Sequence, residues 1–93
     1  MQSITVKYYN LVREVTGVPS EVCQVPPGTT LGQVLEQLVA RHGPDLGRLV
    51  LDAAGLSPQV RLFLNGRAVT NDMLPDALPP GAELALFLAI SGG

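Results

Sequence analysis

Pro26 to Pro44, PPGTTLGQVLEQLVARHGP, holds the one long helix that this chain can form. Pro26-Pro27-Gly28 breaks whatever precedes it, because proline cannot donate a backbone hydrogen bond and glycine tolerates turns. Thr30 then stands as an N-cap, and Gln33 is placed three residues on to complete a capping box. Leu31, Val34, Leu35 and Leu38 recur at i, i+3, i+4 and i+7, which gives the helix a single apolar face. Gly43 and Pro44 stop it. A helix with one apolar face needs one surface to cover, and the flanking sequence supplies strands.

Upstream, Ser3 to Tyr9 alternates, with Ile4, Val6 and Tyr8 on one side and Thr5, Lys7 and Tyr9 on the other. Leu11 to Val15 reads as a short helical turn ended by Gly17, and Glu21 to Val25 alternates again as the second arm of a hairpin. Downstream, Asp45 to Leu56 reads as a short helix or turn followed by a loop. Val60 to Leu64 alternates, Asn65-Gly66 signals a tight hairpin turn, and Arg67 to Val69 returns. Asp76 to Gly81 is loop, and Glu83 to Leu88 is the last strand. This order predicts an α+β fold of the β-grasp kind: a hairpin, a crossover helix, and a mixed sheet of four to five strands with the last strand beside the first. The domain is expected to span residues 1–89, with a flexible Gly-Gly tail over 90–93.

A chain of 93 residues carries one domain with one modest core. With 46% hydrophobic and 15% charged residues it is globular. The net charge of -2 and the lack of any basic run argue against nucleic acid. Neither a signal peptide nor a membrane span is expected. The single cysteine, Cys23, rules out an internal disulfide and suits a reducing compartment, so the expected location is cytoplasmic. Phosphate loops, nucleophile elbows and zinc motifs are missing. His42 is expected to interact with the end of its own helix and Cys23 to pack as a core residue. No metal site is expected.

The remaining chemistry lies in the stretch Leu86 to Gly93, LFLAISGG, where a strand runs into two glycines. Without Cβ atoms, glycines can enter a narrow slot. A terminal carboxylate on Gly93 has a pKa of about 3.3 to 3.7 and is ionised at neutral pH. It can attack the α-phosphorus of ATP if another protein positions both. A sulfur nucleophile can then displace AMP and leave, after reduction, a thiocarboxylate. ATP and Mg²⁺ belong to the activating partner, and the chain itself is expected to bind no cofactor and to be no catalyst alone.

Several stretches resemble the MoaD/ThiS ubiquitin-like sulfur carriers, and the MoaD branch in particular, the small subunit of molybdopterin synthase. Val6 to Gly17, VKYYNLVREVTG, is similar to the family's strand with paired aromatics followed by Arg-Glu and Gly. Asn65-Gly66 resembles its turn, and Ser91-Gly92-Gly93 its ending. Leu88-Ala89 stands where that branch usually has two prolines. The resemblance implies adenylation and thiocarboxylation at Gly93, with Ile90, Ser91 and Gly92 as the tail, and donation of sulfur to a pterin precursor. It implies two partners, an adenylating and sulfurating enzyme of the MoeB/ThiF kind and a large MoaE-like synthase subunit, the latter in a heterotetramer. Tyr9 and Phe87 match positions that face this partner, and Arg13 and Leu88 are grouped with them.

Strand alternation adds Phe63 to that surface. Tyr9, Phe87 and Phe63 are expected to form a row on the sheet face opposite the helix, and an exposed aromatic patch marks a partner surface. Other destinations stay open. They are sulfur transfer to thiamine, cysteine or tRNA, attachment to other proteins through Gly93, and a plain binding module. Lys7 is the only lysine, which disfavours a modifier that builds chains on itself.

Overall fold

The computed structural model describes residues 1–89; Ile90, Ser91, Gly92 and Gly93, the expected flexible tail, lie outside the described residues. β1 (Gln2–Tyr8) turns Ile4, Val6 and Tyr8 inward, as its alternation predicts. α1 (Asn10–Thr16) follows, and Gly17 closes it with its N–H on the Arg13 carbonyl. β2 (Ser20–Val25) returns antiparallel to β1, with Cys23 and Val25 buried.

α2 (Leu31–His42) starts at Thr30 with both halves of the predicted capping box in place. The Gln33 N–H donates to Thr30 Oγ1 at 3.1 Å, and the Thr30 N–H donates to Gln33 Oε1 at 2.9 Å. Two further N–H groups of the first turn, on Leu31 and Gly32, donate to the carbonyls of Asp76 and Leu74. The segment ahead of the last strand therefore closes the helix start. Leu31, Val34, Leu35 and Leu38, the four residues of the predicted apolar stripe, are its buried residues.

The stretch 45–56 is more ordered than expected. α3 (Pro44–Val50) buries Leu46 and Val50, and β3 (Leu51–Asp52) and β4 (Gly55–Leu56) form a separate small hairpin. Strands of two residues are too short to show an alternating pattern, so their formation is a tertiary effect. β5 (Val60–Leu64) and β6 (Arg67–Ala68) flank a turn in which Asn65 and Gly66 both take positive φ, 49° and 83°, as a two-residue hairpin loop requires. A 3₁₀ turn at Asn71–Met73 precedes β7 (Glu83–Leu88).

The main sheet has the order β2-β1-β7-β5-β6. β7 lies in the middle, parallel to β1 and antiparallel to β5. The fold is the predicted β-grasp, with a five-stranded mixed sheet and α2 on one face. Leu84, Leu86 and Leu88 of β7, Val60 and Leu62 of β5, and the inward residues of β1 share one core with α2. No helix among the described residues is long and apolar enough to cross a membrane.

Thr30→Ala removes the cap acceptor without touching the core. It is expected to lower stability by about 1 kcal/mol, read from the urea midpoint, with the fold kept.

Candidate functional site

α2 covers one sheet face and leaves the other to residues that alternate outward. On that open face Phe63 of β5 and Phe87 of β7 stack with ring centroids 5.7 Å apart and planes 10° from parallel. The strand register explains the contact. Arg61 pairs with Phe87 and Phe63 with Ala85, so the two rings are diagonal neighbours across the ladder. Tyr9 meets Phe87 edge-on at 6.5 Å and 82°. The three aromatics thus form the continuous row expected from alternation. Tyr9 is 48% exposed, while Phe63 and Phe87 are half-buried. Lys7 lies on the same face and pairs with Glu83 at 2.6 Å.

The other proposed contact residues divide. Arg13 sits exposed on α1, beside Leu11 and Glu14 on a shallow groove. Leu88 does not belong to the open surface. It is only 8% exposed and packs in the core, because it alternates with Leu84 and Leu86 on the inner face of β7. Its grouping with the partner-facing residues is corrected accordingly. Gly93, Gly92, Ser91 and Ile90 lie outside the described residues.

The structure does describe the root from which those residues follow. The Ala89 N–H donates to the Gln59 carbonyl at 2.8 Å. The side-chain amide of Asn10 holds both backbone groups of Leu88. Asn10 carries no signal in the sequence beyond its place at the start of α1, since its partner lies 78 residues away.

A second polar cluster lies on the covered side. His42 does not turn to its own helix end. Its ring bonds the carboxylate of Glu21 on β2, which also accepts from the Tyr8 hydroxyl and the Arg41 guanidinium. The reason is packing: the last turn of α2 ends beside β2, and Glu21 is the one inward acidic residue there. The Tyr8 ring meets the His42 ring edge-on at 5.8 Å. Burial of Glu21 opposes its ionisation, but hydrogen bonds from Tyr8, His42 and Arg41 outweigh this and hold it below the ordinary 4.5. Burial likewise pushes the Cys23 thiol up, and Cys23, 1% exposed, is a core side chain. Among the described residues no group of three His, Cys, Asp or Glu could hold a metal ion.

Comparison with known proteins agrees with this architecture. The ThiS family profile matches residues 6–93. The chain is similar to small archaeal modifier protein 3 of Haloferax volcanii, at 32% identity over 91 residues, covering 97% of this chain and 98% of that protein. It superposes on the crystal structure of small archaeal modifier protein 1 from Haloferax volcanii with a TM-score of 0.82 and 34% identity, over 98% of this chain and 99% of that one. A Pyrococcus furiosus structure described as molybdopterin converting factor, subunit 1, matches with a TM-score of 0.78 at 23% identity, over 97% of this chain and 100% of that one, a likeness of fold. The chain belongs to the ThiS family of ubiquitin-like sulfur carriers and modifiers.

The Glu21 cluster makes a signed prediction. A carboxylate held below its unfolded value contributes stability above that value and loses it as the pH falls. The urea midpoint is expected to drop below about pH 5. Glu21→Gln is expected to be less stable at neutral pH and to show a shallower acid slope. Equal slopes in the two proteins would remove Glu21 from the account.

Proposed function

We propose that this chain is a sulfur carrier activated at Gly93, acting in the cytoplasm and delivering its sulfur in molybdopterin biosynthesis. One observation carries the reading: the ThiS family match extends through Gly92-Gly93, and only residues 89–91 separate these glycines from the central strand of the sheet. A central strand is held on both sides, so its end is aimed by the rigid body of the domain.

The chemistry divides between the chain and an adenylating enzyme of the MoeB/ThiF kind. That partner holds ATP and Mg²⁺. The Gly93 carboxylate oxygen attacks the α-phosphorus, pyrophosphate leaves, and an acyl-adenylate forms. A persulfide sulfur on the partner displaces AMP, and a second thiol then attacks the partner's cysteine sulfur in the resulting acyl disulfide, forming a new disulfide and releasing the thiocarboxylate. This chain contributes the acyl group and a docking face. The Tyr9–Phe87–Phe63 row is suited to that docking, because rigid aromatic rings exclude water at low cost in conformational entropy. A large MoaE-like synthase subunit, in a heterotetramer with this chain, is the partner proposed for the sulfur-transfer step.

A second reading is attachment of Gly93 to other proteins. It is favoured by the similarity to small archaeal modifier protein 3 along nearly the whole length of both chains. The two readings share the adenylate and differ in the nucleophile that ends the reaction.

Incubation with ATP, Mg²⁺, a sulfur donor and a ThiF-type enzyme is expected to raise the intact mass by the difference between one sulfur and one oxygen atom. A variant lacking Gly92 and Gly93 should show no change. Conversion of a pterin precursor by the thiocarboxylated chain with a large synthase subunit supports the molybdopterin assignment. A thiocarboxylate without conversion refutes it, and covalent protein adducts instead favour the modifier. Tyr9→Ala combined with Phe87→Ala should weaken binding to the adenylating enzyme by roughly 10- to 100-fold and keep a cooperative unfolding transition. Unchanged affinity would move the docking face elsewhere.

A further inference from the structure

Asn10 has a backbone conformation that ordinary side chains avoid, with φ at +43°. Asparagine is among the residues that tolerate this region best, but the position still needs an explanation. Helix capping does not provide it. The N-cap of α1 is Tyr9, which makes no side-chain cap bond, and Asn10 is the first residue of the helix. Its amide turns away from its own helix to one residue of β7. Asn10 Nδ2–H donates to the Leu88 carbonyl at 3.0 Å, and Asn10 Oδ1 accepts from the Leu88 N–H at 3.1 Å.

The topology explains why Leu88 needs this. Pairing of β1 with β7 runs from Thr5 opposite Glu83 to Tyr8 opposite Leu86, and the Tyr9 N–H makes the next bond, to the Leu86 carbonyl, at 3.0 Å. The chain then leaves the sheet for α1. Leu88 would be left with no backbone partner on that side. The Asn10 amide presents an N–H and a carbonyl oxygen side by side, as a peptide group does, and it takes the missing strand's place. On the other side β5 continues, with Val60 opposite Leu88 and the Ala89 N–H on the Gln59 carbonyl at 2.8 Å. The root of the tail is therefore pinned from both flanks.

We infer that Asn10 is a positioning residue for the acyl transfer proposed above, holding Leu88 so that Gly93 is presented from a fixed root. The role rests on the sulfur-carrier reading. From Leu88 to Gly93 the numbering allows five residue steps, 93 − 88, and a fully extended chain of that length reaches at most about 18 Å. Once an adenylating enzyme grips that tail, its root is what relates the docked domain to the carboxylate. Misplacement of a reacting group by an ångström costs up to about 100-fold in rate.

Asn10→Gly tests this, since glycine keeps the positive φ without strain and deletes only the amide. Two readouts are needed: hydrogen exchange of the Leu88 N–H in the folded protein, and steady-state adenylation by a ThiF-type enzyme followed as pyrophosphate release. The Leu88 N–H is expected to exchange at least tenfold faster than in the unaltered chain, about the factor expected from loss of its acceptor. The kcat is expected to fall about tenfold, while KM for the carrier stays within about twofold, because the aromatic face is untouched. Asn10→Asp keeps the acceptor for the Leu88 N–H and should recover part of the rate; it carries the same test if the glycine variant does not fold. A wild-type kcat in the variant, or a loss confined to KM, overturns the positioning role while leaving the sulfur-carrier reading in place. Absence of adenylation in the unaltered chain overturns both.

Discussion

The rest of the structure depends on the burial of a single helical stripe against a single sheet face. Leu31, Val34, Leu35 and Leu38 of α2 share one core with Ile4 and Val6 of β1, Leu84 and Leu86 of β7, and Val60 and Leu62 of β5, the three inner strands. Among the described residues there is no second long helix with which to cover the opposite face. The architecture therefore separates two surfaces. One is the core, and the other stays open along the same three strands, with every outward residue placed by the alternation that places the inward ones. The aromatic row follows from that constraint. Phe87 points out because Leu86 and Leu88 point in.

Polar groups secure the edges that this simple layering leaves. Along one side of the molecule, Glu21 of the edge strand β2 collects Tyr8, Arg41 and His42 and joins the end of α2 to the hairpin. A buried carboxylate is tolerable only when it is fully bonded, and here three donors converge on it. At the start of the same helix, carbonyls from the segment before β7 take up the free N–H groups of the first turn. One end of α2 is thus tied to β2 and the other to the segment before β7 by hydrogen bonds, and the helix cannot shift on the sheet without breaking them. That rigidity suits the proposed function, in which the protein presents its own chain end to another protein.

The end of β7 shows the same logic at the site. The strand is central, yet its last residue outlasts the backbone of β1. A side-chain amide replaces the lost partner, at the cost of a left-handed backbone at Asn10. Local strain of this kind persists where surrounding structure holds it, and the residues that need the support are those leading to the diglycine.

Signals with short range were legible in the sequence. The capping box, the helical stripe, the alternation of β1, β5 and β7, and the Asn65-Gly66 turn each depend on residues within one or two turns of one another, and each forms as read. Alternation together with strand order also placed Tyr9, Phe63 and Phe87 on a common face. The small hairpin of β3 and β4, the turn of His42 towards Glu21 and the clamp by Asn10 were not legible. Each joins groups whose proximity exists only once α2 has closed on the sheet, or involves too few residues to show a period. Local chemistry, in short, determined the elements and the character of the chain's last stretch. Contacts across 21 residues for His42 and Glu21, and 78 for Asn10 and Leu88, were decided by the tertiary fold, because no local pattern encodes a partner that distant.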